Sequence, residues 1–128
     1  MSYYFNKTVN MSFDEAIAKV TEELKKEGFG ILTEIDVKAA LKKKINVDFR
    51  KYRILGACNP SYAHKALLSE DKIGTMLPCN VVVQETADGN IEIAAIDPVA
   101  SMQSVKNESL GEIAAIIQSK LKQVIDNI

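Results

Sequence analysis

The sequence has almost equal numbers of acidic and basic residues. Its 128 residues include 16 lysines and arginines against 17 aspartates and glutamates, which gives a net charge of −1. Proteins that bind nucleic acid or anionic lipid through phosphate groups usually carry a basic excess. No apolar run approaches the roughly 18 residues that a membrane-spanning helix needs. We therefore expect neither nucleic acid nor a membrane among the partners of this chain.

Cysteine, histidine and targeting signals are also scarce. The chain has two cysteines, one histidine and no tryptophan. Its first residues lack the basic and then apolar pattern of a signal peptide. We therefore expect a cytoplasmic location, where two cysteines are normally reduced thiols rather than a disulfide.

Length and composition favour one ordinary globular domain. Hydrophobic residues make up 47% and charged residues 26% of the chain. A chain of this size can bury roughly two-thirds of the surface that it exposes when unfolded, which is enough for one core. There is no internal repeat, linker or low-complexity segment, so residues 1–128 are predicted to form a single domain.

Periodicity, capping residues and turn residues divide the chain into helices and strands. A capping box of Ser12 and Glu15 begins a helix, and Gly28 follows its end. Asp36 is placed to cap a short helix, with Ala40 and Leu41 facing inward. The predicted elements are strand 2–9, helix 12–27, strand 29–35, helix 37–43, strand 52–58, a helix from Pro60, a loop at 73–76, a hairpin of strands 79–85 and 91–97, a polar connection at 99–107, and a helix at 108–127.

This order predicts an α+β fold. Two long helices flank a small sheet, and their apolar stripes need the same sheet face, so we expect a two-layer α/β sandwich with helices on one face and a mixed or antiparallel sheet. The two helices offer more apolar width than about five strands need, and 91–97 is available as an edge strand. The chain is therefore expected to pair with itself as a two-fold homodimer.

The prolines and cysteines lie at the ends of predicted strands. Asn59 and Pro60 suit the N-cap and the first position of a helix. If the strand ends cluster, their proline-fixed turns would frame one cleft that binds an unidentified small molecule. The alternative is that the prolines only form ordinary turns between strands. The candidate ligand-binding residues are Cys58, Asn59, Pro60, Leu77, Pro78, Cys79, Asn80, Asp97 and Pro98.

The two thiols suggest a second kind of site. The helix that follows Cys58 can lower the pKa of its thiol, and antiparallel pairing of the two strands would bring Cys79 beside it. Cys79 and Cys58 are thus the candidate catalytic residues for thiol, persulfide or redox chemistry. The alternative is that both are small buried hydrophobic residues.

A metal site has weaker support. Cys58, His64 and Cys79, with Asp97 as a further ligand, match the donors that zinc accepts, but they lack the closely spaced pairs typical of zinc sites. Helical spacing places His64 away from the face of Tyr62 and Ala66. We expect no metal and no cofactor.

The central motifs resemble the family known as domain of unknown function 302. The resemblance rests on the segments 56–60, 77–81 and 97–98, which contain Cys-Asn-Pro, Leu-Pro-Cys-Asn and Asp-Pro, and on 28–36 upstream. It implies a compact β-α-β(4)-α sandwich and a dimer. No activity is established for the family, so the resemblance supplies no chemistry.

Three functions remain open from the sequence. The chain is a homodimeric ligand-binding module, a thiol or redox enzyme or carrier that uses Cys79 or Cys58, or a purely structural dimerisation module. Gly-x-Ser-x-Gly, phosphate-loop and His-Glu-x-x-His motifs are absent, so the sequence favours a protein that is not an enzyme.

Overall fold

The computed structural model describes residues 2–128 and contains the predicted order of elements. The strands are Tyr4–Val9 (β1), Gly30–Asp36 (β2), Tyr52–Cys58 (β3), Cys79–Glu85 (β4) and Ile91–Ile96 (β5). The helices are Phe13–Lys26 (α1), Val37–Ile45 (α2), Pro60–Ser69 (α3), Pro98–Ser101 (α4) and Glu108–Asp126 (α5), and a 3-10 turn spans Ile73–Met76.

Local signals account for the ends of α1. The hydroxyl of Ser12 accepts a hydrogen bond from the backbone N–H of Glu15 at 3.1 Å, and the Glu15 carboxylate accepts one from the Ser12 N–H at 3.3 Å. This reciprocal pair satisfies two N–H groups that lack partners within the helix. After the helix, Gly28 has a φ of +87°, which a residue without a Cβ adopts at little cost.

The strands of residues 2–128 form one antiparallel sheet in the order β1-β5-β4-β3-β2. The hairpin of β4 and β5 is confirmed. The prediction that 91–97 is an edge strand is wrong, because β1 pairs along β5 with Tyr4 opposite Ile96. The edges of the sheet are therefore β1 and β2.

Both long helices pack on the same face of the sheet, as predicted. Val20 and Leu24 of α1 and Leu121 of α5 are fully buried in one core cluster with Val83 and other strand residues. Among the described residues of these two helices, Ile116 is the large apolar side chain left exposed, at 40%. The apolar stripes of α1 and α5, which were expected to extend beyond the sheet and form a dimer interface, are thus buried against the sheet.

Two shorter segments differ from the prediction. In the described chain, α2 contains no buried residue, and Ala40 and Leu41 are half-buried rather than inward-facing core residues. The predicted polar connection after β5 begins with the helical turn α4, because the Asp97 carboxylate accepts a hydrogen bond from the N–H of Val99 at 3.0 Å. No helix within residues 2–128 is long and apolar enough to cross a membrane.

Candidate functional site

A cavity of about 300 Å³ lies where α3 and α5 pass over the ends of β3 and β4. No side chain of its described lining carries a charge, and most of the lining is aliphatic or aromatic. The lining residues are Phe29, Leu32, Ala57, Cys58, Asn59, Tyr62, Ala63, Ala66, Leu67, Leu77, Pro78, Cys79, Pro98, Met102, Leu110, Ile113, Ala114 and Ile117.

Short side chains on the two helices leave this space open. Ala63 and Ala66 of α3 and Ala114 of α5 all line the cavity. Ala66 and Leu110 are buried together in a small apolar cluster with Ile73, which holds α3 against α5. The helices are thus packed at one end of α3, while their alanines leave room beside the sheet.

The strand pair β3 and β4 brings the two cysteines to the wall of the cavity. The strands are antiparallel, as the thiol hypothesis required, and Ala57 lies directly opposite Cys79. Cys58 is therefore one position away from the residue that faces Cys79. Both cysteines are free thiols and half-buried.

Gly56 makes room for the turn before β4. A Cβ at this position would lie 2.7 Å from Cγ of Pro78 and would also overlap the Thr33 hydroxyl. The peptide between Leu77 and Pro78 is cis. Because Gly56 lacks a side chain, the proline ring can lie directly against β3 and join the wall of the cavity.

Asn59 contributes differently from the prediction. It occupies the N-cap position of α3, but its side chain makes no cap hydrogen bond within the described chain. Its amide Nδ2 instead donates to the carbonyl oxygen of Glu27, 3.3 Å away. The side chain that was expected to cap its own helix links α3 to the end of α1.

Burial governs the chemistry of both thiols. Loss of solvent, with a smaller contribution from the neighbouring Cys58, raises the pKa of the Cys79 thiol to about 11. Burial also raises the pKa of Cys58, so the expected lowering by the helix N-terminus is wrong. Both residues are neutral thiols at neutral pH, which reduces their nucleophilicity.

Asp97 supports the cavity without lining it. Its carboxylate accepts hydrogen bonds from Nε2 of Gln118 at 3.0 and 3.2 Å, in addition to capping α4. This contact holds the short α4 against α5. The next residue, Pro98, is buried and forms part of the cavity wall, as does Met102 just after α4.

A second cavity of about 250 Å³ adjoins the first. The two share Leu77, Pro78, Cys79, Pro98 and Met102. The second cavity differs by including the polar side chains of Thr75, Asn80 and Ser101.

The structure therefore gathers most of the predicted ligand-binding residues but not all of them. Pro60 is exposed and lies outside the linings of both cavities, as does His64. Across residues 2–128, no group of three or more histidine, cysteine, aspartate or glutamate side chains is placed to hold a metal ion.

Sequence reasoning missed the wall formed by α5. The cavity is lined by Leu110, Ile113 and Ile117 of α5. Their spacing is that of any helix that packs on a sheet, so it did not indicate a cavity. The available signal was the alanine content of α3 and α5, since short side chains at a helix contact leave space.

These features define a small α+β protein whose helices line an apolar cavity at one end of an antiparallel sheet. The family model described as "Domain of unknown function DUF302" matches residues 5–128, and the chain belongs to this family. A solved structure, an uncharacterized conserved DUF302 protein from Bacillus stearothermophilus, is similar: its sequence is 31% identical, 98% of each chain is covered, and the TM-score is 0.91. No curated protein matches the sequence.

Proposed function

We propose that this chain is a homodimeric domain that binds a small molecule in the cavity beneath α3. The observation that carries the proposal is the concave volume of about 300 Å³ lined by residues from both layers of the fold. Known small-molecule sites are concave, mostly apolar, and begin at roughly this volume. A domain that served only as a structural module would gain stability by covering this apolar surface.

Binding is better supported than thiol chemistry. A nucleophilic or redox cysteine acts as its thiolate, and burial opposes that form at both positions by raising the pKa. The two cysteines therefore serve the proposed site as apolar wall residues. Two free thiols also fit the proposed cytoplasmic location.

A thermal-shift screen tests ligand binding. We expect at least one member of a library of charged and neutral fragments to raise the melting temperature, since a ligand that binds only the folded state stabilises it. Ala63→Phe fills the cavity from α3 and should abolish that rise. His64→Phe places the same phenyl ring at the next position, which is exposed, and should retain the rise in melting temperature. If no fragment shows this difference, the proposal is wrong.

The proposed partner of the chain is a second copy, bound through the sheet face that points away from α1 and α5. On this face Ile35 pairs with Ile54, which pairs with Val82, which pairs with Ala94. Ile35 is 48% exposed and the other three are half-buried. A continuous apolar row across four strands suits the self-complementary patch of a two-fold dimer.

Light scattering after size exclusion tests the dimer. We expect a mass of twice 14.1 kDa for the native chain at micromolar concentration. Ile35→Lys places a charge in the row and should yield the single-chain mass. Leu68→Lys changes a side chain of α3 that is 75% exposed and should leave the mass unchanged. A single-chain mass for the native protein would refute the dimer.

A further inference from the structure

The lining of the main cavity narrows the chemistry of its ligand. We infer that the ligand is an uncharged, predominantly apolar molecule about the size of two fused aromatic rings; the inference rests on the proposed binding function. None of the described lining side chains is acidic or basic. The polar side chains among them are Asn59 and Tyr62, and the Asn59 amide already donates to the Glu27 carbonyl oxygen.

An ionic group would therefore enter this cavity without a partner of opposite charge. Burying a charge without such a partner is costly, because the group loses its hydration and gains no compensating interaction. The Cys79 thiol in the same wall shows this effect, since loss of solvent disfavours its anionic form and raises its pKa. A carboxylate or ammonium group that a ligand buries against this wall would meet the same environment.

The volume sets the size of the ligand. An apolar cavity of about 150 Å³ accommodates benzene. The cavity here has about 300 Å³, so it should hold roughly twice that molecule. A naphthalene ring system, or a hydrocarbon chain of similar volume, fits this limit.

The second cavity provides an internal contrast. Its lining adds the hydroxyl groups of Thr75 and Ser101 and the amide of Asn80. Met76 lines only this second cavity, Met102 lines both, and Met11 packs against the main core. The methyl groups of these three methionines can therefore report where a probe binds.

The experiment compares naphthalene derivatives that differ in charge. The probes are 2-acetylnaphthalene, which is neutral, 2-naphthoate, which is anionic, and 2-(aminomethyl)naphthalene, which is cationic near neutral pH. Each is titrated into the intact protein with 13C-labelled methionine methyl groups. We expect the neutral ketone to shift the Met102 methyl signal and leave those of Met76 and Met11 in place. Both ions should bind at least about tenfold more weakly, because neither finds a charged partner in the cavity.

Variants separate the ligand class from the binding function. Ala63→Phe should abolish the shift caused by the neutral ketone, whereas His64→Phe should preserve it. Should Ala63→Phe fail to fold, Leu67→Trp offers a second test, because Leu67 lines the cavity and is 44% exposed. The comparison of the neutral and charged probes uses the methyl shifts of the native protein and does not depend on either variant.

Each outcome decides the inference. Equal or tighter binding of either ion at Met102, lost in Ala63→Phe, would overturn the ligand class and leave the binding function standing. A ketone that shifts Met76 but not Met102 would overturn the assignment to the apolar cavity. If no probe shifts Met102, the inferred class is wrong, while the fragment screen separately decides whether the cavity binds any ligand.

Discussion

The side-chain amide of Asn59 donates a hydrogen bond to the carbonyl oxygen of Glu27, across 3.3 Å. This contact joins the start of α3 to Glu27, the residue directly after α1. A Cβ at the intervening Gly28 would lie 3.1 Å from the same amide nitrogen, so the asparagine passes closely over the glycine. The cavity wall formed by α3 is thus tied to the helix that covers the centre of the sheet.

The Asn59 contact predicts an unusual pattern of substitutions. Asn59→Ala should lower the free energy of unfolding by about 1 kcal/mol, the typical value for one partly buried hydrogen bond. Asn59→Asp retains an oxygen that could cap α3 but cannot donate to the Glu27 carbonyl, so it should destabilise at least as much. Urea denaturation measures both. If the aspartate variant is as stable as the native protein, capping rather than the link to α1 is what matters.

Gly56 should tolerate no side chain. Gly56→Ala introduces a methyl group that overlaps the Thr33 hydroxyl and the Pro78 ring, and we expect a loss of about 1–3 kcal/mol, as for other overpacked sites. Gly30→Ala is the matched control in the neighbouring strand, because a Cβ there meets no atom within 4 Å. Thermal melts of the two variants should differ clearly. Equal stability would contradict the close packing of the proline against β3.

Cys79 should make stability depend on alkaline pH. Its pKa is about 11 in the folded protein, above the value of 9.0 for a free thiol, so the folded state holds a proton that the unfolded state releases. Stability is therefore fully present below about pH 9 and is lost as pH rises toward 11, by an amount on the order of 2 kcal/mol. Urea melts of the native protein and Cys79→Ala at about pH 8 and about pH 10.5 isolate this contribution. The native protein should lose more stability than the variant, and equal losses would refute the assignment.

Asp97 should affect the cavity from outside it. Asp97→Ala removes both the cap of α4 and the contact with Gln118, so the turn that carries Pro98 should loosen. We expect weaker binding of 2-acetylnaphthalene and a loss of about 1 kcal/mol of stability, typical of an N-cap. Asp126→Ala, at the exposed end of α5, is the control. Unchanged binding by Asp97→Ala would show that α4 is held by its apolar contacts alone.

Much of the fold could be predicted from the sequence because its signals are local. The Ser12 and Glu15 pair, the turn between β4 and β5, and the period of α5 each depend on residues close together in the chain. The position of β5 in the sheet could not be predicted this way, because it depends on a pairing with β1 that no local pattern specifies.

For the site as well, the locally determined parts could be predicted and the parts that depend on distant contacts could not. One edge of the cavity could be predicted, because Cys58, Pro78 and Pro98 lie at strand ends that the sequence pattern identifies. The opposite wall depends on how far apart α3 and α5 lie, which follows from packing. The Asn59 contact was missed for a related reason, because its acceptor, the Glu27 carbonyl, comes close only in the folded chain.

The pairing of β1 with β5 also governs the order in which the chain can fold. Asn6 of β1 donates to the Glu92 carboxylate across a separation of 86 positions, and Lys7 donates to the Ile128 carbonyl oxygen at 2.6 Å. During synthesis, β1 is therefore made well before β5, its partner in the sheet. Contacts this distant in sequence slow folding, because a long loop must close before they stabilise the structure. Until that loop closes, β1 has unpaired backbone groups that can pair with another chain, so strand exchange between unfolded copies is physically possible.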